Sequence, residues 1–328
     1  MERREFIAGI CTAVAMPFVA WAQQGERVRR IGVLMPLAKD NPEARVRIAA
    51  FLEELQRLGW TGGRNLQVEY RWETGEPNFH SKAAMELVAL SPDVILATAT
   101  PAVAALQRAT RTVPIIFAQV ADPVGSGFVA NLARPGGNMT GFTNIDYEIS
   151  AKWLQLLKEI APYVTRVGVI RDPTLTSGIG QYGAIRSAAQ ALGVEVSALG
   201  GRSAADVEQT ITEFARTSNG GLISVANPVV VNNRSLIISL AARHRLPTIY
   251  PFRSFVTDGG LVSYGAEPID AYRQAAGYVD RVLKGEKPAD LPIQGATKFE
   301  LAINLKTAKA LGLTVPASLV SRANEIVE

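Results

Sequence analysis

Three loops of the sequence place a polar residue directly before a proline where a β-rich run has just ended: Thr100-Pro101, Asp122-Pro123 and Asn227-Pro228. Proline suits the first position of a helix, and Thr, Asp or Asn before it can cap the free amide groups. A helix start also offers unpaired N–H groups and a partial positive charge, which suit a carboxylate or a phosphate. The pattern indicates anion-binding loops, and each loop taken alone also fits a plain helix cap.

Aromatic and polar residues accompany these loops. Open parallel sheets bind ligands at the carboxyl ends of their strands, and small-molecule pockets combine an apolar wall with a few polar anchors. The residues expected to face such a cleft are Met35, Thr98, Thr100, Phe117, Asn144, Asn227, Tyr250, Phe252 and Tyr264. The predicted ligand-binding residues are Thr98, Thr100, Asp122, Asn144, Asn227, Tyr250 and Tyr264.

Within this set, we expect the hydroxyls of Thr98 and Thr100, with the helix amides that follow them, to hold a ligand carboxylate. Asn227 occupies the equivalent position in the second half of the chain. Tyr250 and Tyr264 are expected to stack on a flat ligand body or to donate a hydrogen bond.

The sequence carries little catalytic equipment. Its two histidines, His80 and His244, lie in predicted helices among charged neighbours, and neither a serine-hydrolase elbow nor a Walker motif occurs. The formal net charge of +4 is spread over 328 residues without a long basic run, so nothing indicates a nucleic-acid partner. We therefore expect a binding protein without catalytic activity, cofactor or metal.

One motif points to a different function. Gly178, Gly180 and Gly183 fit the spacing G-x-G-x-x-G of dinucleotide-binding folds, and Glu195 follows in the next β-rich run. However, residues 171–177 separate the preceding strand from Gly178, whereas the fingerprint needs a tight turn. Glu195 also begins its strand, whereas the ribose-binding acid belongs near a strand end. An exported NAD(P)-dependent oxidoreductase is the alternative function.

The elements that would position these residues occur twice, about 130 residues apart. β-rich runs alternate with helix-period apolar segments, which predicts mostly parallel sheets flanked by helices. Five pairs of segments match in order: 30–34 with 166–170, 58–59 with 192–193, 99–103 with 226–230, 113–117 with 246–250, and 136–141 with 259–264. The repeat predicts an α/β protein of two Rossmann-like lobes built on one plan, with a cleft between them.

The N-terminus differs from the rest. Arg3-Arg4 precedes an apolar stretch at 6–20 that ends in Ala20-Trp21-Ala22, an A-x-A cleavage pattern. About fifteen apolar residues are too few for a comfortable permanent span. We predict a cleaved signal peptide at 1–22 and a periplasmic location, with the twin-arginine and the general export route both open. Cleavage would remove Cys11, the single cysteine, and leave no thiol chemistry.

Seven segments carry a family resemblance: LGWxxGRN at 58–65, SPDVI at 91–95, DPVGxGF at 122–128, ARPGGNxTG at 133–141, GGLVSYG at 259–265, KGxKPADLP at 284–292 and KFELxINLKTAKALG at 298–312. They resemble the ABC-transporter substrate-binding proteins related to the tryptophan and aromatic amino-acid binding type. The resemblance runs from the signal peptide to the last helix. The block at 133–141 and the long final segment are its most specific parts.

That resemblance implies a type I periplasmic-binding fold, in which a three-segment hinge joins two lobes that close around a small ligand. It implies delivery of the ligand to an ABC permease driven by a separate ATPase. We place lobe 1 at 28–143 plus 266–288 and lobe 2 at 144–265 plus 289–328, and we expect a monomer that meets the membrane only through the permease. The expected ligand is an aromatic or other amino acid-like carboxylate. A periplasmic ligand sensor is the second alternative.

Overall fold

The computed structural model of the chain describes residues 27–76, 78–143 and 147–328. The predicted signal peptide, Cys11 and the candidate Asn144 lie outside the described residues. Among the helices of the described ranges, none is both long and apolar enough to cross a membrane.

The first half of the chain alternates strands and helices. In chain order these are β1 (Arg29–Met35), α1 (Pro42–Arg57), β2 (Leu66–Trp72), α2 (Phe79–Ala89), β3 (Val94–Thr98), α3 (Ala99–Ala109), β4 (Ile115–Ala118) and β5 (Met139–Thr143). β3 and β4 are buried on both faces because helices cover the sheet on both sides. α1 begins where the Asn41 side chain accepts hydrogen bonds from the N–H groups of Glu43 and Ala44.

The second half repeats the alternation. In chain order it contains α4 (Tyr147–Ile160), β6 (Arg166–Arg171), α5 (Thr176–Ala189), β7 (Glu195–Gly200), α6 (Ala204–Phe214), β8 (Gly220–Ser224), α7 (Pro228–Asn232), α8 (Arg234–Arg243), β9 (Thr248–Tyr250), α9 (Arg253–Thr257) and β10 (Val262–Ala266). It is followed by α10 (Pro268–Leu283), β11 (Gln294–Gly295), β12 (Phe299–Asn304), α11 (Leu305–Ala310), α12 (Ala317–Arg322) and β13 (Glu325–Val327).

The two sheets share one strand order. The first runs β2-β1-β3-β4-β5-β11 and is parallel throughout, and the second runs β7-β6-β8-β9-β10-β12-β13. Only the pairing of β12 with β10 is antiparallel. The first five strands of each sheet follow one another in the same order, and the matched sequence segments fall on or beside equivalent strands. The two-lobed α/β architecture predicted from the repeat is confirmed.

The chain passes between the lobes three times, between β5 and α4, between β10 and α10, and between β11 and β12. The expected last boundary, after residue 288, is too early. β11 pairs with Phe142 and Thr143 of β5, so lobe 1 continues to Gly295. The buried hydroxyl of Thr140 donates to the carbonyl of Leu291 at 2.6 Å, which ties this segment to the first sheet.

The glycine run lies inside a helix. Because α5 begins at Thr176, Gly178, Gly180 and Gly183 are helical residues and form no loop between a strand and a helix. A methyl group on Gly180 would overlap the ring of Tyr147, and one on Gly178 would meet the Asp172 carbonyl oxygen at 3.0 Å. Two of the glycines therefore serve close packing, and the phosphate-binding turn that a dinucleotide fold requires is not formed here.

This packing predicts opposite outcomes for two substitutions. In a helix interior, alanine is favoured over glycine by about 1 kcal/mol. Gly183→Ala should raise the free energy of unfolding by about this amount, because the added Cβ has no atom within 4 Å. Gly180→Ala should instead lose about 1–3 kcal/mol, because the added methyl group overpacks against Tyr147. Urea denaturation measures both, and equal effects at the two positions would contradict the packing role.

Candidate ligand-binding cleft

A cleft lies between the carboxyl ends of the two sheets, with walls from both lobes. Lobe 1 contributes Pro36, Leu37, Arg47, Thr98, Ala99, Thr100, Pro101, Gln119 and Ala121. Lobe 2 contributes Leu175, Ser177, Ala226, Asn227, Pro228, Val231 and Phe252. The cavity between them is about 40 Å³, room for a few water molecules with the side chains as they stand. Side chains of both lobes meet around it, so the lobes are closed on each other, and a larger ligand requires these walls to move apart.

Three predicted residues, Thr98, Thr100 and Asn227, line the cleft together. The Thr98 hydroxyl lies 2.7 Å from the hydroxyl of Tyr272 on α10, so it is already engaged. The Thr100 side chain is buried against the cleft and makes no hydrogen bond within the described residues. Thr98 precedes α3 without a side-chain cap, which leaves the first amides of α3 open to an acceptor.

Asn227 acts as a helix cap. Its Oδ1 accepts the N–H of Val230 at 3.0 Å, and its Nδ2 donates to the carbonyl of Val225 at 3.3 Å. Both ends of the amide are thus used within lobe 2. The geometry supports a helix-capping role for Asn227 in the Asn227-Pro228 loop, where Asn227 also forms part of the cleft wall.

Asp122 lies at the edge of the cleft and connects the lobes. Its Oδ1 accepts the N–H of Gly125 at 2.7 Å, and its Oδ2 accepts the hydroxyl of Tyr147 at 3.1 Å. Burial, together with the charge and hydrogen bond of Asp122, raises the pKa of Tyr147 to about 12. The phenol therefore remains a hydrogen-bond donor at neutral pH, and this contact bridges lobe 1 to the first turn of α4.

Tyr250 and Tyr264 do not reach the cleft, contrary to expectation. Tyr250 is fully buried and stacks on Phe255 with ring centroids 5.0 Å apart. Tyr264 packs against Phe299, and its carbonyl accepts the indole N–H of Trp153 at 2.6 Å. Phe252 lies beyond the end of β9, directly before α9, and it lines the cleft where Tyr250 does not.

Two other residues expected at the cleft, Met35 and Phe117, belong to the core of lobe 1. Met35 Sδ accepts the Tyr272 hydroxyl at 3.9 Å. In the described parts of the chain, no group of three or more His, Cys, Asp and Glu side chains is placed to hold a metal ion.

Arg47 and Gln119 are cleft residues that sequence reasoning missed. The Arg47 side chain is 3% exposed, donates to Gln119 Oε1 at 2.9 Å and to Glu43 at 3.0 Å, and lies 5.5 Å from the Phe252 ring centroid. A signal for it exists in the sequence. Arg47 interrupts the buried stripe of α1, between Ala44 and Phe51, where a charge is costly unless it is paired.

Backbone strain occurs on the lobe 1 side of the cleft. Ala99, Gln119 and Asp122 adopt φ values of 63°, 59° and 43°, in the left-handed region that side chains disfavour. Ala99 and Gln119 directly follow β3 and β4, and Asp122 lies in the loop after β4. Such strain persists only where the surroundings impose it, and it clusters at functional sites.

Glu43 joins the lobes across the cleft. Its carboxylate accepts from Arg47 on the same helix and from Arg234 of lobe 2 at 2.9 Å. Burial alone would raise the pKa of Glu43, but the charges of Arg47 and Arg234 hold it below the usual value. A second contact between the lobes joins the hydroxyls of Ser126 and Thr176, which lie 3.0 Å apart. The closed arrangement is thus held by contacts at more than one point.

The Glu43 contact makes closure dependent on its charge. Because the folded pKa is lowered, the carboxylate stabilises the closed state above its ordinary pKa of about 4.5, and this contribution is lost as the pH falls through the lowered value. Glu43→Gln should weaken closure by about 1–3 kcal/mol at neutral pH.

At the same ligand concentration below saturation, small-angle scattering should show a larger radius of gyration for Glu43→Gln than for the parent. Glu54→Gln is the control, because Glu54 lies on the same helix and pairs only with Arg57 within lobe 1. An unchanged radius for Glu43→Gln would show that the bridge to Arg234 does not hold the lobes together.

Comparison with known proteins places this cleft in context. The model of the ABC transporter substrate binding protein family matches residues 30–327. A tyrosine-binding protein of Clostridioides difficile strain R20291 is 27% identical over 263 residues, which cover 80% of this chain and 75% of that protein.

Two solved structures are similar to this chain over most of its length. A conserved domain protein of Vibrio cholerae O1 biovar El Tor N16961 is 28% identical with a TM-score of 0.85, covering 92% of this chain and all of that one. The ABC domain of Streptococcus pneumoniae in complex with L-Trp is 24% identical with a TM-score of 0.84, covering 91% and 99%. With the family match spanning almost the whole described chain, this protein belongs to the ABC transporter substrate-binding proteins, with the type I periplasmic-binding fold.

Proposed function

We propose that this protein captures an aromatic amino acid or a similar small carboxylate in the interlobe cleft, outside the cytoplasm, and delivers it to an ABC permease driven by a separate ATPase. The observation that carries the proposal is the strained, donor-rich wall of lobe 1, where Thr100 and the open amides of α3 face the apolar wall of lobe 2.

A ligand carboxylate fits the lobe 1 side. The start of α3 presents N–H groups and the positive end of a helix of 11 residues, and the Thr100 hydroxyl lies beside it. A flat apolar body fits the opposite side, where Leu175, Val231 and Phe252 form the wall. The tyrosine-binding relative and the tryptophan complex described above support an aromatic amino acid as the ligand.

The site of action follows from the N-terminal sequence and the family. The signal-peptide pattern at 1–22 supports export to the periplasm, and membership of this family supports an extracytoplasmic protein. The oxidoreductase alternative lacks its phosphate-binding turn, because the glycine run lies within α5. A sensor role uses the same cleft, and genes for a permease and an ATPase beside this gene would favour the importer.

Binding should be measurable with purified mature protein. Native mass spectrometry of freshly purified protein is expected to show one small molecule bound per chain, and titration calorimetry should show saturable binding of L-tryptophan or L-tyrosine. Scattering should show compaction at saturation, because ligand contacts from both lobes favour the closed state. An unchanged radius at saturation would count against closure around the ligand, and tight NAD(P) binding would overturn the proposal.

Thr100 provides the sharpest test of the carboxylate position. Thr100→Ala removes a hydroxyl that is free to bond the ligand, and loss of a bond to a charged group costs about 1.5–3 kcal/mol, or about tenfold to a hundredfold in Kd. Thr100→Ser keeps the hydroxyl and should bind nearly as the parent does. Binding of Thr100→Ala within twofold of the parent would remove Thr100 from the site.

Asn227→Ala should act mainly through stability. Its side chain caps α7, so the substitution is expected to lower the free energy of unfolding by about 0.5–2 kcal/mol. Thermal unfolding without ligand detects this effect, and an unchanged midpoint would contradict the cap role.

A further inference from the structure

Arg47 occupies an unusual position in the cleft. Of the described residues that line it, Arg47 alone carries an ionisable side chain. That side chain is 3% exposed and projects from α1 between Glu43, Gln119 and the ring of Phe252. A buried guanidinium retains its charge, and it needs acceptors for each of its N–H groups.

Two buried donors at this point have no acceptor within the described residues. They are Nε of Arg47 and Nε2 of Gln119. The orientation of the Gln119 amide is fixed, because Arg47 carries only donors and therefore requires the Oε1 atom at 2.9 Å. Nε2 of Gln119 must then point elsewhere as a donor. Unsatisfied buried donors are costly, and the strained φ of Gln119 adds to that cost.

The charge around Arg47 is only partly balanced. Glu43 divides its carboxylate between Arg47 and Arg234, and the Nε of Arg234 pairs in addition with Asp258 at 2.7 Å on the surface. Arg47 has no second carboxylate in reach among the described residues. A further anion beside it would supply both the missing charge and the missing acceptor.

We propose that Arg47 is the specificity-determining residue of the cleft. Its Nε, with Nε2 of Gln119 as a second donor, selects ligands bearing a carboxylate beside Thr100 and the start of α3, which line the same cavity. This rests on the proposed function. The ring of Phe252 packs over the same guanidinium from lobe 2, so the charged group that holds the carboxylate is also part of the contact between the lobes.

The test compares ligands that differ only at the carboxylate. The probes are four acids, each paired with its carboxamide: L-tryptophan, L-tyrosine, indole-3-propionate and 3-(4-hydroxyphenyl)propionate. The parent should bind each acid about tenfold to a hundredfold more tightly than the matching amide, because a bond between charged groups is lost in the amide. In Arg47→Gln this preference should fall to within about threefold.

Two variants complete the design. Arg47→Lys should keep part of the preference, because the charge remains while the planar fork is lost. Arg45→Gln, an exposed position on the same helix, should leave the preference and the affinity unchanged. If Arg47→Gln does not fold, Arg47→Lys and the preference of the parent for acid over amide still decide the question.

The outcomes separate this inference from the proposed function. If neither amino acid binds but one of the other acids does, the amino-acid assignment fails and Arg47 is tested with that acid. Equal binding of acid and amide by the parent would overturn the role of Arg47. So would an undiminished preference in Arg47→Gln, or the failure of every carboxylate in the panel to bind.

Discussion

The parallel arrangement of the strands is the constraint on which the rest of this structure depends. In a parallel sheet, every loop from a strand to a helix lies at the carboxyl edge of the sheet. Helix N-terminal amides and polar side chains therefore lie together at that edge. The carboxyl edges of two sheets with the same strand order face each other, so each lobe contributes one wall of the cleft. The duplication therefore places the cleft between two lobes built on one plan.

The buried ion pair of Arg47 and Glu43 on α1 links ligand binding to closure of the lobes. The Glu43 carboxylate accepts hydrogen bonds from Arg47 of its own helix and from Arg234 of lobe 2. The Arg47 guanidinium packs against the Phe252 ring across the cleft. Breaking the lobes apart returns these groups to water, where a surface ion pair contributes little. A ligand that adds a partner to Arg47 favours the closed arrangement, and this differential affinity is what shifts such an equilibrium.

Sequence patterns predicted the fold well because they are local. The matched segments at 30–34 and 166–170 lie in β1 and β6, and those at 113–117 and 246–250 overlap β4 and β9. The residues that line the cleft were predicted in part. Thr98, Thr100 and Asn227 follow from their position after strands, whereas Tyr250 and Tyr264 depend on which face of the strand turns inward. For Arg47 the local pattern shows only a charge within the buried stripe of α1, and its partner Gln119 lies 72 residues away in the chain, which no local pattern reveals.

The third passage between the lobes has a consequence for the order in which the protein is made. Lobe 1 is completed by α10 and β11, whose residues come after β6 to β10 of lobe 2 in the chain. Tyr272, Ala276 and Val279 of α10 are fully buried in the core beside α1, so that core stays open while residues 27–143 alone have been synthesised. Lobe 1 therefore cannot finish folding during translation of its own first segment. Its apolar face stays exposed until the chain has been synthesised to residue 295. A fragment that ends at the first crossing would leave that face exposed to solvent.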